Sequence, residues 1–235
     1  MGDTAAVLWA TLASVAGTGL GGLAGCYGGG RRGVVSAVLG FAAGLMSAIV
    51  CFGLLPEAME AGGILMALSG MGAGIAAVWL ASQFLPKGEA GLSRTSFLVL
   101  AAIAIHNLPE GLAIGSGWAV MPALGAKLAL VIGLHDFPEG MAITAPMAAA
   151  HGKPPYLQAL FAMLTGIPTG LGAILGVFLG NLSPLWMSMC LGFAAGAMLY
   201  VTTGEMVPQL LRTDGGHKTL WQIIGFTAGL IVSWL

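Results

Sequence analysis

Leu39-Gly40-Phe41-Ala42-Ala43-Gly44-Leu45-Met46 returns 152 residues later as Leu191-Gly192-Phe193-Ala194-Ala195-Gly196-Ala197-Met198, differing only at Leu45 and Ala197. Pro56 and Pro208 keep the offset. Working outward, Thr18-Gly19-Leu20-Gly21 recurs as Thr169-Gly170-Leu171-Gly172 at offset 151. Ala73-Gly74 with Trp79-Leu80 recurs as Ala228-Gly229 with Trp234-Leu235. A single match in a Gly/Ala-rich chain is chance; three in order at nearly one offset are a repeat.

Both copies are too apolar for water. Charged residues make up 7% of the 235 and hydrophobic ones 57%, against roughly 25% and 45–50% in a soluble domain. The 39 glycines suit helices that must approach closely in lipid. Runs of about 20 apolar residues, enough to cross a bilayer, lie near 5–25, 34–56, 63–85, 96–118, 123–147, 156–180, 185–211 and 219–235. Short breaks separate them: Gly28 to Arg32, Pro86-Lys87-Gly88, Met121-Pro122, His151 to Pro155, Ser183-Pro184 and Thr213 to Lys218. The start, Met1-Gly2-Asp3-Thr4, has no basic n-region, so the first apolar run is expected to be a helix rather than a signal peptide.

The expected fold is therefore all-α: a polytopic membrane protein of eight transmembrane helices. Spans one to three (about 5–85) and six to eight (about 156–235) are the repeats, with a central pair at about 96–147 between them. Repeat partners five spans apart run in opposite directions, which makes a 3+2+3 inverted-repeat bundle of the kind found in transporters. Residues 1–235 then form one transmembrane domain. Arg31, Arg32, Lys87, Arg94, Lys153, Arg212 and Lys218 fall on one side of such a bundle and only Lys127 near the other. By the positive-inside rule both termini are extracytoplasmic. A net charge of −1 leaves no basic footprint for nucleic acid. Cys26, Cys51 and Cys190 form no CxxC pair and are expected to be buried thiols.

The central pair carries the chemistry. Span four holds His106-Asn107-Leu108-Pro109-Glu110-Gly111 and span five His135-Asp136-Phe137-Pro138-Glu139-Gly140. An isolated ionisable group in hydrocarbon costs at least ~2.5 kcal/mol and usually marks function. Positions i, i+1 and i+4 share a helical face, so His106, Asn107 and Glu110 should converge, as should His135, Asp136 and Glu139. Imidazole with carboxylate suits zinc and its neighbours, whereas carboxylates alone suit magnesium or calcium. A dication would also neutralise carboxylates held away from water. Pro109 and Pro138 should free the carbonyls of Ile105 and Leu134 and kink their helices. Gly111 and Gly140 would permit close approach there.

With this motif pair and eight spans, the whole chain resembles the ZIP family of zinc and iron transporters, in its GufA-like bacterial branch. The resemblance implies uptake of divalent cations, zinc foremost with cadmium, iron, manganese and cobalt alongside, by an elevator-like alternating-access movement. It implies a binuclear site. One position would use His106, Glu110, His135 and Glu139, with the two glutamates bridging to a second that adds Asn107 and Asp136. Met46 resembles the thioether ligand that this branch contributes. Three places depart from the pattern. Thr169-Gly170 stands where relatives carry Glu-Pro, which implies a weaker or absent second position. Span seven reads Glu205-Met206-Val207-Pro208-Gln209 where Pro-Glu is usual, and the loop from Pro86 to Ser93 holds no histidine.

Other polar residues are placed by position. Glu57 and Glu60, one turn apart at the outer end of span two, are an entrance for cations or a solvated helix end. Glu205 is expected in the pathway. His151 and His217 are expected on the surface, and Trp118, Trp221 and Trp234 near the membrane interfaces. No catalytic residue and no resident cofactor is expected. The expected partners are the bilayer, the divalent metal and, in self-association, a homodimer, in a bacterial inner membrane. Two other functions could use the same residues: an intramembrane di-metal hydrolase and a proton-coupled carrier of organic solutes. The first lacks HExxH, since the i+4 residue is Glu in both motifs. The second leaves the paired histidines without a shared purpose.

Overall fold

A computed structural model describes residues 2–28, 32–84, 107–149, 154–212 and 216–234. Every regular element among them is helical. Helix α1 is Gly2–Gly28. Helix α2 runs Arg32–Ile49, through a π-helical turn Val50–Leu54, into Leu55–Gly62. Helix α3 is Ile64–Phe84, α4 spans 107–120, and α5 is Pro122–Ala149. Helix α6 comprises Pro155–Thr165 and Ile167–Gly180, broken at Gly166. Helix α7 runs Pro184–Val201, a π-helical turn Thr202–Met206, and Val207–Arg212. Helix α8 is Lys218–Trp234.

The sequence explains where these helices start and stop. Gly63, with φ +83°, ends α2; its N–H reaches the Met59 carbonyl at 2.8 Å in a conformation that costs glycine little. Met121 alone separates α4 from α5, and Pro122 begins α5 where its missing N–H is no loss. Ser183 caps α7 by accepting the Trp186 N–H, with Pro184 at the first turn.

Among the described residues, five helices are long and apolar enough to cross a membrane: Thr4–Gly28, Ser36–Gly62, Ile64–Gln83, Pro155–Gly180 and Pro184–Gly204. The outward faces agree. Leu8, Leu20, Leu130, Phe178 and Ile231 are all exposed, whereas Ser14, Thr18, Asn107, Glu110, His135 and Asp136 are wholly buried. Water would reverse this arrangement; lipid favours it. The interior is built from small side chains, with Ala42, Ala43, Ala194, Ala195 and Ala197 at its centre.

Helix α1 packs on α5 and α6, α2 on α8 and α5, and α3 on α7, while the end of α2 also meets α7. Glycines set these distances. A Cβ on Gly140 would fall on the Thr18 carbonyl, and one on Gly111 on the Thr169 carbonyl. Likewise Gly44 lies against Gln222 and Phe226, and Gly196 against Met71.

Some details differ from the sequence expectation. Helix α2 continues to Gly62, beyond the anticipated end near 56. The two π-helical turns and the break at Gly166 were not anticipated. In each π turn the residue ahead of a proline bonds five residues back: the Leu55 N–H to the Val50 carbonyl, and the Val207 N–H to the Thr202 carbonyl. Pro56 and Pro208 have no N–H and crowd the carbonyl four residues back, and the wider turn relieves that crowding. The expected start of span four, 96–106, lies outside the described residues.

Candidate metal centre

Helices α4 and α5 place their polar groups from opposite sides of a tight hairpin. On α4, Glu110 follows Pro109 directly; on α5, His135, Asp136 and Glu139 lie well inside the helix. Small residues hold these helices against α6 and α1. Gly111 takes the Thr169 carbonyl and Gly140 the Thr18 carbonyl, each leaving no room for a Cβ. The backbones carrying the site are thus fixed before any side chain is considered.

Glu110, His135, Asp136 and Glu139 converge, with one ligand atom from each lying within 4.8 Å of all the others. His135 Nε2 stands 2.8 Å from Glu110 Oε1 and 3.3 Å from Asp136 Oδ1. Glu110, His135 and Asp136 are fully buried and Glu139 is 4% exposed. Among the described residues, three carboxylates and one imidazole share this water-poor interior, where positive charge stabilises the ionised carboxylates. A dication supplies it, and opposing ligands about 2.0–2.2 Å from a zinc ion would sit within the observed spread. The donor set therefore fits a borderline divalent ion.

The remaining expected residues fall in different places. Asn107 is fully buried on the same face of α4, and its Nδ2 donates to the Thr165 carbonyl at 2.7 Å. Its Oδ1 has no hydrogen-bond partner. His106 lies outside the described residues. Met46 is buried on α2, where the Thr202 hydroxyl lies 3.8 Å from its sulfur. Thr169 is buried and donates to Ser14 Oγ at 2.9 Å. Glu57 is half-buried and Glu60 exposed on the last turns of α2; neither belongs to the buried cluster found among the described residues. The side chain of Glu205, in the second π turn, lies outside the described residues.

Sequence reasoning missed the hydroxyl layer beside the cluster. Ser14, Thr18 and Thr165 are buried with Thr169 at the contact of α1 with α6. The Thr18 hydroxyl donates to the Ser14 carbonyl at 2.7 Å, and the Thr165 hydroxyl to the Ala162 carbonyl at 2.6 Å. A signal was present: Ser14 and Thr165 stand at the same 151-residue offset as Thr18 and Thr169.

Comparison with known proteins finds zinc transporters. The family model described as "ZIP Zinc transporter" matches residues 86–235. The zinc transporter GufA of Myxococcus xanthus is 40% identical over 154 residues, covering 62% of this chain and 59% of the relative. The zinc transporter ZIP11 of Xenopus tropicalis is 36% identical over 148 residues, 60% of this chain and 44% of the relative. The zinc transporter ZupT of Chlorobium limicola is 33% identical over 199 residues, 72% of this chain and 74% of the relative. The chain thus spans only about half the length of the first two relatives.

Proposed function

The chain belongs to the ZIP zinc transporter family, and from that premise we propose that it carries divalent transition-metal cations, zinc foremost, through the buried cluster between α4 and α5. One observation carries the proposal: Glu110, His135, Asp136 and Glu139 offer ligand atoms within 4.8 Å of one another inside an apolar helical bundle. His106, Asn107 and Met46 complete the proposed ligand set. Cadmium, iron, manganese and cobalt are the proposed lesser substrates, since N and O donors accept them all. The relatives named above are transporters by name, which favours a carrier over an intramembrane hydrolase or an organic-solute carrier.

The proposed architecture is one domain of eight spans in a 3+2+3 inverted repeat, with both termini outside the cytoplasm of a bacterial inner membrane. Several contacts support it. Gly111 meets Thr169 on α6 as Gly140 meets Thr18 on α1, and Gly196 meets Met71 as Gly44 meets Phe226. The π-helical turns, Val50–Leu54 and Thr202–Met206, also stand 152 residues apart. In the proposed movement α1, α4, α5 and α6 carry the cation past α2, α3, α7 and α8, toward the cytoplasm, with Glu57 and Glu60 at the entrance and Glu205 along the path. A homodimer is the proposed assembly.

Metal flux into proteoliposomes tests the function. Zinc uptake is expected in wild-type vesicles and lost in the variant carrying both His106→Ala and His135→Ala. Undiminished uptake by that double variant would end the proposal.

A further inference from the structure

Asn107 has its two polar ends in different surroundings. Its nitrogen donates to the Thr165 carbonyl at 2.7 Å, while its oxygen is buried without a hydrogen-bond partner. An amide could present either end to the cluster, because oxygen and nitrogen exchange by a half-turn of the side chain. The neighbour decides. A carbonyl only accepts, so the nitrogen must face Thr165 and the oxygen must face away.

The Thr165 carbonyl is available because α6 is broken beside it. In an unbroken helix it would accept the N–H of the residue four ahead, Thr169. Instead the Thr169 N–H goes to the Gly166 carbonyl at 3.2 Å, and the Gly166 N–H to the Met163 carbonyl at 3.1 Å. Pro168 brings no N–H at all. The Thr169 hydroxyl is also engaged elsewhere, on Ser14 Oγ at 2.9 Å. At the matching place on α1, the Thr18 hydroxyl does satisfy the Ser14 carbonyl, at 2.7 Å. Helix α6 therefore lacks a local donor at Thr165, and α4 provides it from 58 residues away.

We infer that the break at Gly166–Pro168 is a positioning device for the metal centre, in which the Thr165 carbonyl holds the Asn107 amide with its oxygen toward the cation. The inference rests on the proposed cation site, with Asn107 as one of its ligands, and adds what orients that ligand. Asn107 and Glu110 are three residues apart and share a face of α4. With the amide reversed, an N–H group would point at a dication. Thr165 and Pro168 are thus positioning residues, acting through Asn107.

The test is cadmium binding to the purified full chain in detergent, by titration calorimetry, beside thermal melting of the metal-free protein. Pro168→Ala restores an N–H and lets α6 close over Thr165. Cadmium affinity is then expected to fall roughly 10–100-fold, as when other partners that orient a metal ligand are removed. The metal-free melting temperature should hold or rise, because alanine replaces proline in a helix. Asn107→Asp should also bind more weakly than wild type despite its added charge, since a carboxylate oxygen would then face the Thr165 carbonyl. Wild-type affinity in Pro168→Ala, or tighter binding by Asn107→Asp, overturns the inference. So does a loss of affinity in Pro168→Ala that runs parallel with a loss of melting temperature, which would mark a purely structural break. A wild-type protein that binds no cadmium sinks the proposed cation site instead, a separate outcome.

Discussion

At the scale of single residues, His135 holds two things together. Its Nε2 lies 2.8 Å from Glu110 and 3.3 Å from Asp136, all three fully buried. Removing one member of such a group strands its partners, which typically costs about 3–5 kcal/mol. His135→Ala is therefore expected to lower the melting temperature of the metal-free protein and to abolish stabilisation by added zinc, which normally follows from binding to the folded state. Calorimetry with and without zinc checks both. Protons compete with the metal for these donors, because imidazole must be neutral and carboxylate ionised to bind it. Zinc affinity should consequently weaken as pH falls across the range in which the protein stays folded. A titration series across that range that shows constant affinity would contradict the assigned ligands.

At the scale of helices, glycine decides how close the site-bearing backbones come. A Cβ on Gly140 would meet the Thr18 carbonyl and one on Gly111 the Thr169 carbonyl, whereas Gly72 on α3 has nothing within 4 Å. Overpacking typically costs about 1–3 kcal/mol. Gly140→Ala and Gly111→Ala should each destabilise by that order and slow metal flux. Gly72→Ala should be neutral or gain up to about 1 kcal/mol from helix propensity. Melting of the three variants in one detergent distinguishes them; equal behaviour would remove glycine from the argument. This is also the scale at which sequence and structure part. The helices were legible because Met121-Pro122 and Ser183-Pro184 punctuate long apolar runs. The cluster was legible because two six-residue motifs put His, Asp and Glu on one helical face. The π turns were not, because a bond five residues back depends on how the chain relieves Pro56 and Pro208. Nor was the bond from Asn107 to Thr165, which joins residues whose nearness only the packing of α4 on α6 creates.

At the scale of the whole molecule, the distribution of charge sets the direction in which the bundle lies. Arg31, Arg32, Lys87, Arg94, Lys153, Arg212 and Lys218 belong to the segments at one end of the proposed eight-span bundle. Lys127, near the other end, donates to the Ser233 carbonyl at 2.9 Å and so satisfies the end of α8. A lysine engaged in this way does little to oppose the positive-inside bias, which counts charges free to hold a loop in the cytoplasm. The connections at Met121 and Asn181, both exposed, should accordingly face outward, and those at Lys87 and Lys153 inward. With Cys26, Cys51 and Cys190 replaced by alanine, single cysteines at the four positions report this directly. Membrane-impermeant maleimide on intact cells is expected to label Met121→Cys and Asn181→Cys, and to reach Lys87→Cys and Lys153→Cys only after permeabilisation. The opposite pattern would invert the bundle and reverse the assigned entrance. Labelling of Met121→Cys and Lys153→Cys from the same side would mean that α5, with His135 midway along it, does not cross the membrane, and a cation bound there would have no route through.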